Sequence, residues 1–117
     1  MQHRDVIILQ KILSEIKVSN ELLGEMSLEE FLDNEAIKRA VGMTVINIGE
    51  LIKNVTAETR SEYKEVPWKE AAGLRDLAAH KYQTLRMEDV YNTAKIDFAD
   101  LKIQLEKILK DNQTSVK

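Results

Sequence analysis

No cysteine occurs among the 117 residues of the chain. That absence excludes disulfide scaffolds, cysteine zinc sites and thiol nucleophiles. There are two histidines, His3 and His80, which are too few for a multi-histidine metal site within one chain. No long apolar run is present and the mean hydropathy is −0.33, which argues against a membrane span. The opening Met1-Gln2-His3-Arg4-Asp5 lacks the small-residue cleavage pattern of a signal peptide, so a cytoplasmic protein is expected. Basic excess is missing too. Seventeen Lys and Arg against twenty Asp and Glu leave a net charge of −3, unlike the usual nucleic-acid binder. The length suits one domain that buries its own core.

A helical period fills the chain. Val6, Leu9, Leu13 and Ile16 recur at three- and four-residue spacing, and the pattern resumes at Leu22 and Leu23 before Gly24, a plausible stop. Ser27-Leu28-Glu29-Glu30 reads as a capping box opening a short turn over 28–32. Asp33 can then cap a longer helix carrying Ile37, Val41, Val45, Ile48, Ile52 and Val55. Gly42 and Gly49 lie inside it on nearly one face and suggest close helix approach, because interior glycine otherwise costs about 1 kcal/mol. Residues 59–66 read as a connection. Pro67 suits a first helical position, and the spacing predicts a helix from there to about His80. A last helix carries Val90, Ala94, Phe98, Leu101, Leu105 and Ile108. No strand pattern, repeat or low-complexity stretch stands out. The expected fold is all-α, an antiparallel four-helix bundle with an additional short helix. The domain is expected over 1–110, with a polar, frayed C-terminal tail over 111–117.

The segment that carries chemistry is Gly73-Leu74-Arg75-Asp76-Leu77-Ala78-Ala79-His80-Lys81-Tyr82. On a helix Asp76 and His80 share a face four residues apart, so Asp76 can fix the imidazole tautomer. Arg75 and Tyr82 are nearly aligned if the helix persists. Spacing alone favours the plainer reading, an exposed Arg–His pair at a helix end, with Tyr82 as a packing residue and Asp76 as a solvated acid.

Arg75-x4-His80-Lys81-Tyr82 resembles the motif of the HEPN superfamily, in its HepT-like toxin branch. Other segments agree in order: Ile48-Gly49-Glu50-Leu51 on the second long helix, Val66-Pro67-Trp68 opening the motif helix, Gly73-Leu74-Arg75, and Met87-Glu88-Asp89-Val90-Tyr91 near the start of the last helix. The resemblance spans roughly residues 3 to 109. Two positions depart from it: Asp76 stands where members often carry Asn, and Arg86 where they often carry a capping Asp.

The resemblance implies a HEPN-like bundle that acts as a metal-independent ribonuclease toxin of a toxin–antitoxin pair. It implies a homodimer with its motifs facing a shared cleft, and a small nucleotidyltransferase antitoxin that transfers AMP to Tyr82. No cofactor is expected. The residue types suit RNA cleavage by the 2′-hydroxyl. Histidine serves as acid or base near neutrality, and arginine binds phosphate oxygens as a fork. One chain offers one plausible histidine, so a composite dimer site is expected, with His80 handling protons, Arg75 holding the phosphate and Asp76 and Tyr82 supporting. Lys81 and Arg86 are candidate RNA contacts. On an acidic protein, RNA binding would be local to a cleft around Arg75, Lys81 and Arg86, and would weaken steeply with salt. Glu50 reads as a cleft residue or as an ordinary exposed glutamate. The competing function is a non-catalytic helical partner subunit of a nucleotidyltransferase that positions its substrate; a plain helical adaptor is a third.

Overall fold

The computed structural model of the chain describes residues 1–73 and 86–115. Every regular element among them is helical, and the protein is an all-α helical bundle. Helix α1 spans His3–Leu23, α2 Leu28–Leu32, α3 Glu35–Lys53 and α4 Ala57–Glu62. A fifth helix, α5, is described over residues 68–73. Helix α6 covers Met87–Asn92, a π-helical turn follows over Thr93–Asp97, and α7 runs over Phe98–Ser115. Among the described residues no helix is long and apolar enough to cross a membrane.

The apolar period builds the core. Leu9, Ile12 and Ile16 of α1 face Val41, Val45, Ile48 and Ile52 of α3, and Phe98, Leu101, Leu105 and Ile108 of α7 close the other side. Helices α1 and α3 run antiparallel. The Arg4 guanidinium donates to the Asn54 carbonyl oxygen at 3.1 Å, near the end of α3, and Asn47 donates to Glu15 at 3.0 Å further along. Gly42 and Gly49 are both buried on α3.

Local signals set the helix ends. Gly24 takes φ +49°, a conformation that side chains with a Cβ rarely adopt, and α1 stops there. The capping box at α2 is complete: Ser27 N–H donates to Glu30 Oε1 at 3.0 Å, and Glu30 N–H donates to Ser27 Oγ at 3.1 Å. The cap of α3 is Asn34, not Asp33; its Oδ1 accepts the Ile37 N–H at 3.0 Å, while Asp33 closes α2. Both residue types cap well, and α2 persisting through Leu32 leaves Asn34 as the first free position.

Other expectations change as well. The connection expected over 59–66 begins as helix α4, whose side-chain cap Thr56 accepts the Thr59 N–H at 3.3 Å. The last helix is interrupted by the π turn, where Phe98 N–H reaches back five residues to the Thr93 carbonyl. Helix α7 continues through Ser115, well into the stretch expected to fray. Pro67 stands one position before α5, and its carbonyl oxygen accepts the first helical bond, from Ala71 N–H at 3.0 Å.

Candidate functional site

Arg75, Asp76, His80, Lys81 and Tyr82 lie outside the described residues. The structure defines the frame on either side of them, α5 leading in and α6 leading out.

The lead-in is built from α1 upward. Asp5, in the first turn of α1, is fully buried. Its Oδ2 accepts the hydroxyls of Thr56 and Thr59, each at 2.6 Å, and its Oδ1 accepts the Thr56 N–H at 3.1 Å. Burial pushes the Asp5 carboxyl up. The hydrogen bonds from Thr56 and Thr59 outweigh that, with help from the Arg4 charge, and hold it below the ordinary carboxylate value. Arg60 turns back over the end of α3. Its Nε donates to the Val55 carbonyl at 3.1 Å, and one terminal nitrogen donates to the Ile52 and Lys53 carbonyls at 2.9 and 2.7 Å. Ile52 and Lys53 lie in the last turn of α3, whose carbonyls lack i+4 partners within the helix, and Val55 follows just beyond it.

The chain then turns at Tyr63. Its carbonyl oxygen accepts Val66 N–H at 3.2 Å and the Trp68 indole N–H at 2.8 Å. Trp68 and Ala71 point α5 into the core. From α7, Asn112 donates to the Tyr63 hydroxyl at 3.0 Å and Gln104 to the Glu65 carbonyl at 3.1 Å.

On the lead-out side, Arg86 occupies the cap position of α6. It has extended backbone angles and no side-chain cap bond, yet its carbonyl accepts Asp89 N–H at 2.9 Å, so α6 starts without an acidic cap. The Arg86 guanidinium is exposed and 3.5 Å from Glu88, a loose surface pair. Tyr91 fixes α6 to the α1–α2 corner: its hydroxyl donates to the Met26 carbonyl at 2.7 Å and its ring meets Phe31 at 5.4 Å.

Glu50 is exposed on α3 and borders a groove of about 370 Å³ between α1 and α3, shared with Lys11, Ser14, Glu15, Asn47 and Leu51. A second cavity of about 290 Å³ separates α5 from α7. Glu70, Asp97 and Asp100 line it, so its charge is wrong for a phosphate backbone. On α7, Lys102 and Glu106 are half-exposed and 3.8 Å apart, a solvated pair.

Sequence reasoning missed Asp5 and the Trp68 indole bond. An acid in the first turn of a helix reads as a solvated dipole partner. The Thr56-x-x-Thr59 pair, a capping pattern at the start of the presumed connection over 59–66, was the available signal for its true partners.

The family model described as ribonuclease HepT-like matches residues 12–108. A protein of Methanocaldococcus jannaschii named as a candidate RNase is 38% identical over 112 residues, covering 95% of this chain and 97% of the relative. A candidate RNase of Caldanaerobacter subterraneus subsp. tengcongensis is 33% identical over 101 residues, covering 86% and 90%. A probable ribonuclease HepT of Thermococcus cleftensis is 32% identical over 108 residues, covering 92% and 96%. No solved structure matches the chain.

Proposed function

The chain belongs to the ribonuclease HepT-like family, and on that premise we propose that this endoribonuclease cuts RNA without a metal, in a cleft shared by a homodimer, as the toxin of a toxin–antitoxin pair. The observation that carries the reading is Arg75-x4-His80-x-Tyr82, standing complete inside the matched stretch.

The chemistry follows from the residue types. The 2′-hydroxyl of RNA attacks the adjacent phosphorus. An O2′–P bond forms and the P–O5′ bond breaks, leaving a 2′,3′-cyclic phosphate and a free 5′-hydroxyl. One proton must leave the attacking oxygen and one must reach the leaving oxygen. His80 takes the first and the second copy's His80 supplies the other. Arg75 holds the phosphate oxygens as charge builds on them, and stays cationic throughout. Asp76 orients His80. Lys81 and Arg86 hold the flanking backbone, so binding weakens as salt rises.

Tyr82 is the point of control. A nucleotidyltransferase antitoxin would transfer AMP from ATP to its hydroxyl, releasing pyrophosphate. The added phosphodiester puts negative charge beside Arg75 and His80, where RNA phosphate must bind.

Expression of the chain alone, then with a nucleotidyltransferase encoded beside it, tests this reading. Alone, it should arrest growth and degrade RNA. Together, growth should recover and intact mass should rise by one or more AMP units mapped to Tyr82. An unmodified chain beside an active transferase would contradict the control mechanism. A chain that neither cuts RNA nor arrests growth would favour the non-catalytic partner subunit.

A further inference from the structure

Ile96 and Ile103 are the two most exposed large apolar side chains among the described residues, at 60% and 66%. They stand seven positions apart, one in the π turn and one on α7, with exposed Ala99 between them. Phe98, Leu101 and Leu105 turn into the core, so the three form a narrow apolar stripe on the opposite side of the helix. Single apolar residues scattered on a surface are ordinary. An aligned pair two turns apart is the spacing by which one helix reads another.

One flank of the stripe is acidic. Asp97 and Asp100 stand beside it and, with Glu70 of α5, line the cavity of about 290 Å³ between α5 and α7. Buried Ala71, Phe98 and Leu101 give that cavity apolar walls. Among the described residues none of the three carboxylates has an ion-pair partner. The other flank is already engaged: Lys95 donates to the Gly24 carbonyl at 3.1 Å, and Lys102 pairs with Glu106. The uncompensated charge at the cavity is therefore negative and borders an apolar recess. That combination suits the aliphatic stem and cationic head of an arginine or lysine.

We propose that this face docks a basic amphipathic helix of a protein partner. Apolar residues of that helix cover Ile96 and Ile103, and an arginine or lysine on its flank enters the cavity to meet Glu70, Asp97 and Asp100. A second copy of this chain would bring a net charge of −3 and the same acidic flank, so a basic partner complements the face better. The same acids repel an RNA backbone.

The probe is a fluorescent alanine-based peptide of about 16 residues, long enough to hold a helix. It carries leucines at helical spacing on one face and arginines along one flank of that face. A scrambled peptide has the same composition without the spacing. Fluorescence anisotropy measures binding to the full-length chain at low salt. The parent should bind the helical peptide one to one, saturably below about 1 mM, and the scrambled peptide about tenfold more weakly. Ile96→Ser with Ile103→Ser, and Asp97→Asn with Asp100→Asn, should each weaken binding about tenfold or more. All four positions are exposed, so these variants keep the core intact. Lys102→Gln, on the other flank, should match the parent within about twofold. Asp97→Lys with Asp100→Lys should instead prefer a peptide with glutamate in place of arginine. Absence of saturable binding, equal binding of the scrambled peptide, or parent-like binding by either double variant overturns the docking face. Sedimentation of the parent and the isoleucine double variant separates the occupants. The same oligomeric state in both supports a protein partner; a smaller species in the variant assigns the face to a second copy and overturns the proposal.

Discussion

The Asp5 carboxylate and the Thr59 hydroxyl lie 2.6 Å apart although fifty-four positions separate them in the chain. With Thr56, that contact makes one buried acid the fastening between the first turn of α1 and the first turn of α4. Removing the carboxylate would leave two hydroxyls facing a cavity. Asp5→Ala should therefore lower stability by about 2–3 kcal/mol in urea unfolding.

The same group predicts an acid response. The folded-state pKa of Asp5 lies below its ordinary value of 3.8. A depressed carboxylate adds stability that is fully present above the unfolded value and is lost as pH falls through the folded one. The stability gap between the parent and Asp5→Asn should be constant from about pH 5 to 7 and close on acidification below 3.8. Unfolding midpoints across that range measure it. A gap unchanged at low pH would show that the carboxylate charge is not what stabilises.

Arg60 supplies three hydrogen bonds to the carbonyls at the end of α3. Arg60→Ala should destabilise by about 1–2 kcal/mol. Arg60→Lys should recover only part of this, because an ammonium lacks the planar fork that spans several acceptors. Thermal unfolding of the two variants separates charge from geometry.

Ser19 is the opposite case. It is fully buried on α1, and its hydroxyl has no hydrogen-bond partner among the described residues. Alanine removes an unsatisfied polar group and is the better helix former. Ser19→Ala should raise stability by about 1 kcal/mol; a loss would show that the hydroxyl has a partner in solution.

The long helices were legible because their apolar residues repeat over many turns. Val41, Val45, Ile48 and Ile52 mark one buried face of α3 without any tertiary knowledge. Helix α4 was not legible. Thr59 is its one buried residue, so it carries no apolar period, and its start depends on a cap held by a distant acid. The π turn escaped for a related reason. Val90, Ala94 and Phe98 keep ordinary helical spacing, and the extra residue is absorbed by the backbone between them. At the site, Arg75 and His80 announce themselves by residue type and interval. The described chain leading toward that segment depends on Asp5, Tyr63 and Trp68, whose contacts arise only when α1, α4 and α5 meet.

The most direct test is the rate of RNA cleavage in excess EDTA by the parent and by His80→Ala, each shown to be folded. The account predicts that the parent cuts at an undiminished rate without free metal, and that His80→Ala is slower by about a hundredfold or more. A parent silenced by EDTA, or a His80→Ala variant that cuts as fast as the parent, would contradict it.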